Sequence, residues 1–226
     1  PRHDTEADAR RAFDAIRAGG IAILPMDVGY SLIGSHEAAL FRIFDTKRRA
    51  PSKLNAMLGD DLLSRDVHTL SPLQRDVVEC VTRDYELPLG LIGPARMDHP
   101  ILGALSPAAL ARSTAEGTVL MLLQAGPFHA AITRLSREAG VPLFGSSANL
   151  SLSGTKFRVE DIELEVKAIA DVVVDHGLRK FHLYGGSSTL LDVRDFSVKR
   201  HGACFELIQD ALRRHFGIEL PAKPGA

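Results

Sequence analysis

Cysteine is scarce: Cys80 and Cys204 are the only two in 226 residues, and they form no CxxC pair. A disulfide framework is therefore not expected, and two distant thiols suit a reducing, cytoplasmic setting. Nine histidines occur without HxH or HxxxH spacing, which argues against a dedicated transition-metal site. An excess of one charge is also missing. The formal net charge is −1, so no global field draws in nucleic acid, and any such binding needs a local basic patch. No apolar run approaches the roughly 20 residues that span a bilayer. The opening PRHDTEADARR lacks the apolar core of a secretory signal. What is present is an ordinary globular balance, 45% apolar and 24% charged residues, at a length that suits one large α/β domain.

Helix and strand patterns alternate along the chain. Ala9, Ala12, Phe13 and Ile16 mark an amphipathic helix ended by Gly19-Gly20. Ile21–Leu24 and Gly29–Gly34 read as strands, after which Ser35 is placed to cap a helix striped by Leu40, Ile43 and Phe44, with Lys47-Arg48-Arg49 in its last turn. Asn55–Leu58 reads as a strand. Ser71-Pro72-Leu73-Gln74 combines a capping box with proline at the first helical position and opens a helix with Leu73, Val77 and Val81 inward. Further on come a strand over Thr118–Leu123, a helix striped by Phe128, Ile132 and Leu135, and a strand over Pro142–Phe144. A helix striped by Val159, Ile162, Val166 and Ile169 precedes a strand over Asp171–Val174. Strands over Ser188–Val193 and Ser197–Arg200 and a helix from Phe205 to His215 finish the pattern. With no linker, repeat or low-complexity tract, the expectation is one α/β domain around a mixed sheet.

Four segments stand out, and each has a plain reading beside a functional one. Lys47-Arg48-Arg49-Ala50-Pro51-Ser52-Lys53 reads as a helix C-terminus, where cations suit the macrodipole. It also admits a functional reading as an anion grip, Arg49 supplying a planar fork and Lys47 and Lys53 compact charges, though on spacing alone the helix end is favoured. No aromatic residues interleave there for base stacking. Gly145–Gly154, GSSANLSLSG, is either a loop or a polar ligand site rich in hydroxyls and backbone N–H groups. It is neither GxSxG nor a Walker loop. Gly185-Gly186-Ser187-Ser188-Thr189 is a tight loop or a glycine-rich entry to a strand, and Arg200 in Lys199-Arg200-His201-Gly202 stands just beyond a strand end.

In combination and order these segments resemble the YrdC family, the threonylcarbamoyl-AMP synthases and their YciO-type relatives, over roughly residues 10 to 215. Pro25-Met26-Asp27-Val28-Gly29-Tyr30-Ser31-Leu32 occupies the family's proline–Thr–Asp–Thr–x–Tyr–Gly–Leu segment, with Met26 and Val28 replacing both threonines. Lys47-Arg48-Arg49-Ala50-Pro51-Ser52-Lys53-Leu54 matches Lys–x–Arg–Pro–x–x–Lys–Pro. Ser147-Ala148-Asn149-Leu150-Ser151 matches Ser–Ala–Asn–x–Ser. Ser188–Asp192 followed by Arg200-His201-Gly202-Ala203 matches the last strand and its Arg–x–Gly–Ala turn.

The resemblance implies a single YrdC-like domain over 1–226 without an appended C-terminal domain: a twisted mixed sheet, flanking helices and a large basic concave cavity. It implies ATP, Mg²⁺ held through the phosphates, bicarbonate and L-threonine or another amine, condensed to a carbamoyl-adenylate with release of pyrophosphate for tRNA modification. Lys47 and Arg49 are the expected catalytic residues. Lys53, Ser147, Asn149 and Arg200 join them on the nucleotide, and Met26, Val28, Tyr30 and Ser151 are expected on the amine, with no metal ligand from the protein. Two alternatives stand beside this. One is a YciO-like paralogue that binds tRNA or double-stranded RNA, or ribosomes; the other is a specialised enzyme that adenylates the carbamate of a different amine. Partner proteins of tRNA modification belong to the first reading, and no membrane to any.

Overall fold

The computed structural model describes residues 3–50 and 53–222, so Pro51 and Ser52 of the basic segment lie outside it. Helix α1 (Thr5–Arg17) is capped by Asp4, whose carboxylate accepts from the Ala7 N–H, and it buries the expected Ala9, Ala12, Phe13 and Ile16. Strands β1 (Ala22–Met26) and β2 (Gly29–Gly34) form an antiparallel hairpin with Asp27 and Val28 at the turn. Helix α2 (Glu37–Thr46) buries Leu40, Ile43 and Phe44, but its N-cap is His36 rather than Ser35. Its last helical residue is Thr46, so the basic cluster follows the helix instead of forming its final turn. Lys47 is the C-cap, and Arg48 adopts φ 50°, a left-handed residue that ends the turn.

Strand β3 (Ala56–Leu58) leads to α3 (Asp61–Val67) and α4 (Pro72–Glu79), where the Ser71–Gln74 capping box forms as expected. Val77 is buried there and Val81 in the wider helical turn Cys80–Asp84 that continues α4, but Leu73 is half exposed, because the first turn of α4 lies at the surface. Strand β4 (Leu89–Pro94), short helices α5 (Pro100–Gly103) and α6 (Pro107–Ala111), and β5 (Thr114–Ala115) precede β6 (Thr118–Leu123). The glycines at 90 and 93 hid β4 from the pattern of apolar alternation. Helix α7 (Pro127–Ala139) is followed by β7 (Phe144–Ser147). Only the short α8 (Leu164–Ala168) forms where a helix striped from Val159 was expected, since residues 157–163 turn irregularly to fold the preceding loop back. Strands β8 (Val172–Val173), β9 (Thr189–Asp192) and β10 (Ser197–Arg200) and helix α9 (Phe205–Phe216) complete the chain.

The ten strands among the described residues join one mixed sheet in the order β10-β9-β4-β6-β3-β7-β2-β1-β8, with β5 paired to β6. Three pairs are parallel (β1/β8, β3/β6, β4/β9) and the rest antiparallel, including the successive pairs β3/β7, β7/β2 and β2/β1. Alternate residues of a strand face opposite sides of the sheet. On one side Leu32, Met57, Leu91, Met121, Phe144 and Leu191 are fully buried. At the centre β7 must lie close to β2, and a side chain at Gly145 would overlap the Leu32 carbonyl oxygen. Gly145→Ala is therefore expected to destabilise the fold by about 1–3 kcal/mol, the usual cost of forcing atoms into a packed interior. An unchanged urea midpoint for that variant would show that the strands can separate freely.

Candidate active site

The other side of the sheet is not covered along its middle. A cavity of about 340 Å³ opens there. Its floor is made largely by alternate residues of adjacent strands: Ser31 and Ile33 of β2, Ala56 and Leu58 of β3, Gly90 and Ile92 of β4, Thr118, Leu120 and Leu122 of β6, and Leu190 of β9, with consecutive residues Gly145 to Ser147 of β7 and Ser187 and Ser188 at the entry to β9. Arg49, Lys53 and Leu54 come in from the segment after α2, and Arg200 from β10. The floor is thus largely apolar, the rim carries hydroxyls and three cations, and among the described residues no Asp or Glu lines it.

Each cation arrives by a local device. Arg49 follows the left-handed turn at Arg48, and its N–H donates to the Phe44 carbonyl at 3.2 Å, closing off α2. Its Nη2 donates to the Leu54 carbonyl at 2.6 Å, while its Nε is buried with no partner among the described residues. A buried, unpaired guanidinium N–H is costly, and it marks a place where an acceptor belongs. Burial lowers the Arg49 pKa, but an arginine keeps its charge at any physiological pH.

Arg200 reaches the cavity by a β-bulge. Ser197 pairs with Asp192 and Val198 with Leu191, so regular alternation would bring Lys199 opposite Leu190; instead the register shifts and Arg200 takes that place. Such a bulge re-aims one side chain. Arg200 Nε and Nη2 then donate to the Ser188 carbonyl at 3.0 and 2.8 Å, and Lys199 lies 3.9 Å from Asp192. The Gly202-Ala203 turn packs onto the same strand entry: the Ala203 N–H donates to the Ser187 carbonyl at 2.8 Å, and Thr189 Oγ1 donates to the Ala203 carbonyl at 3.1 Å. A side chain at Gly202 would overlap Ser187 and Ser188.

The serine-rich segment is part strand and part loop. Ser147 still belongs to β7, opposite Ser31, and therefore faces the cavity. Its hydroxyl donates to Asn149 Oδ1. Asn149 is buried and Ser151 exposed, and neither lines the cavity. Lys47 is buried too, its Nζ donating to the Ser147 carbonyl and to Asn149 Oδ1 at 3.3 Å. Burial first, and the neighbouring Arg49 second, push this amine down to about 7. Glu163 sits behind the loop, accepting from the Leu150 N–H at 3.2 Å and the Ser153 hydroxyl at 2.6 Å. Its burial would raise the carboxyl, but those bonds and Lys156 hold it down to about 2.

Of the ten residues singled out from the sequence, Arg49, Lys53, Ser147 and Arg200 therefore line the cavity, and Lys47, Asn149 and Ser151 form the layer behind it. Met26, Val28 and Tyr30 do not reach it. The hairpin turn at Asp27 carries Met26 and Val28 into the main hydrophobic core, and both are buried. Tyr30 lies in the second core cluster, its hydroxyl donating to the Gly177 carbonyl at 2.8 Å and accepting from the His176 N–H at 3.1 Å. Burial, with Asp175 nearby, pushes its phenol up to about 12. The turn is pinned by a buried ion pair, Arg179 Nη2 to Asp27 Oδ1 at 3.3 Å. Met26, Val28 and Tyr30, which the sequence led us to expect on an amine, therefore lie outside the lining of this cavity. The floor residues Ile92, Leu120, Leu122 and Leu190 were not singled out, because apolar side chains on a strand carry no signal of which face is open.

A model of the family described as Sua5/yciO/yrdC, telomere recombination, matches residues 14–202. The chain belongs to the Sua5/YciO/YrdC family. Solved structures agree on the fold. Sua5 of P. abyssi, complexed with L-threonine, is 20% identical with a TM-score of 0.73, over 98% of this chain and 61% of that one. YciO of E. coli is 19% identical with a TM-score of 0.68, over 89% and 92% of the two chains. A full-length HypF, in a phosphate- and nucleotide-bound form, is 17% identical with a TM-score of 0.63, over 90% of this chain and 29% of that one. This chain thus spans about three fifths of the P. abyssi protein and under a third of HypF. Against curated protein sequences it has no significant match. Among the described residues no helix is long and apolar enough to cross a membrane.

Proposed function

We propose that the cavity condenses ATP, bicarbonate and an amine to a carbamoyl-adenylate and releases pyrophosphate, with L-threonine the first amine to test. The observation that carries this reading is the orphaned Nε of Arg49 in a cavity that has three cations on its rim and no carboxylate in its lining. Such a lining suits a polyphosphate and repels nothing anionic. Family membership and the ligands named for the Sua5 and HypF structures point the same way.

In this reading the amine and bicarbonate give a carbamate and water. A carbamate oxygen attacks the α-phosphorus of ATP, the bond to the β-phosphate oxygen breaks, and pyrophosphate leaves with the electron pair. The protein needs no nucleophile. Arg49 and Lys53 neutralise charge that builds on the leaving phosphates, and Ser147 orients them. Arg200, held by Ser188, does the same from the β9–β10 side. The apolar floor takes the base and keeps water from the reactive adenylate. Mg²⁺ would come with the phosphates and offset their charge.

The RNA-binding alternative has less support, because the basic cluster is not a free patch: Lys47 is buried and Arg48 pairs with Glu165 at 3.2 Å. With Met26 and Val28 in the core, they give no ground for expecting threonine to be a poor substrate. The deciding assay follows pyrophosphate release from ATP and bicarbonate with a panel of amino acids. Release that depends on both bicarbonate and one amine is expected; no release with any amine, from folded protein, would overturn the reading.

A further inference from the structure

Lys47 is a lysine in the right segment but the wrong place for a ligand contact. It is 2% exposed and absent from the cavity lining. Both of its ends grip the same piece of chain. Its Nζ donates to the Ser147 carbonyl and to Asn149 Oδ1, and its own carbonyl accepts from the Ser151 N–H at 3.2 Å and the Ser151 hydroxyl at 2.6 Å. Residues 147–151 are thereby fastened to the end of α2, which fixes Ser147 on one side and Arg49 on the other. Those two line the cavity.

Resting on the reading of the cavity as a polyphosphate site, we propose that Lys47 is a positioning residue that never touches the ligand, and that it takes up a proton when an anion binds at Arg49 and Ser147. The acceptors at its Nζ are neutral, a carbonyl and a side-chain amide, so among the described residues no anion in direct contact compensates a buried ammonium. Two charged groups face it. Arg49, on the segment after α2, repels the ammonium, while Glu163, just before α8, attracts it. Glu163 is itself engaged by Lys156 Nζ at 2.9 Å and by Ser153. The balance leaves the amine titrating near neutrality, as its depression to about 7 indicates. An anion seated on Arg49 cancels the repulsion and favours the charged form. Below pH 7 Lys47 already carries its proton and affinity does not depend on it. Above pH 7 binding must recruit that proton, so affinity falls as pH rises, by up to about tenfold per pH unit until the bound-state pKa is passed.

The experiment measures pyrophosphate binding by calorimetry from pH 6 to 9 for the wild type, Lys47→Arg and Lys47→Met, with melting curves to confirm that each is folded. The ionisation of pyrophosphate is common to all three proteins and cancels in their comparison. Relative to Lys47→Arg, which stays charged, the wild type is expected to lose about tenfold or more in affinity from pH 7 to 9. Lys47→Met should bind more weakly than the wild type at pH 6 and approach it at pH 9. Parallel profiles for all three would overturn the proton coupling. Loss of binding by Lys47→Met at every pH, with Lys47→Arg unimpaired, would show direct contact with the anion and overturn the positioning role. A folded wild type that binds no pyrophosphate at any pH would instead overturn the polyphosphate reading of the cavity itself, a result distinct from the other two.

Discussion

Replacing Arg49 by alanine should weaken the binding of ATP and of pyrophosphate by about 10- to 100-fold, the loss of one charge-assisted hydrogen bond or more. Its melting temperature should change little. The two effects separate because, among the described residues, the Arg49 side chain makes one hydrogen bond, to the Leu54 carbonyl, and its Nε has no partner. Removing a half-buried cation that has no ion-pair partner among the described residues relieves a desolvation penalty that offsets part of the lost bond. Arg49→Lys should recover only part of the affinity, since an ammonium keeps the charge but not the planar fork. If Arg49→Ala unfolds and Arg49→Lys restores only stability, the residue closes a helix and nothing more.

Acid should destabilise the protein steeply between pH 6.5 and 4, through two buried histidines that no sequence pattern marked. His68 Nε2 donates to the Val119 carbonyl at 3.2 Å, and its Nδ1 accepts from the Ser64 hydroxyl at 3.2 Å; His129 Nε2 donates to the Leu122 carbonyl at 3.0 Å. A carbonyl only accepts, so both rings carry their proton on Nε2 and are neutral in the fold. Burial pushes each down to about 4, against 6.5 for an exposed imidazole. Between those values the unfolded chain binds more protons than the folded one, so stability is fully present above pH 6.5 and drains away as pH falls towards 4. Each ring accounts for about 3 kcal/mol over that window. Urea midpoints taken at pH 7 and 4.5 test this, and His129→Gln should flatten the dependence by about half. A midpoint that holds steady across the window would mean that both rings reach water, and one that falls by half as much would mean that one does. Glu163, held down to about 2, adds a further loss only below about pH 4.5.

Much of the fold was written in local periodicity and end signals. Strands over residues 29–34 and 118–123 appear with the expected bounds, and the capping box at Ser71 forms, because each depends on neighbours within a few residues. The four ligand-grade segments were legible as a set, and Arg49, Lys53, Ser147 and Arg200 do meet in one cavity. What only the tertiary structure decided was which face of each element would be open. Met26 and Val28 sit in a segment that promised contact with an amine, yet a two-residue turn held by the Asp27–Arg179 pair sends them inward. Lys47 and Arg49 are two residues apart in one basic run, but a left-handed residue between them buries the first and brings the second to the cavity. The sequence singled out Arg200, but only a bulge against β9 puts it, rather than Lys199, opposite Leu190. Chemical type is a property of the residue and is carried by the sequence. Orientation is set by strand pairing, bulges and contacts made across 100 residues or more, such as Lys47 with Ser147, and comes into being only when the sheet closes.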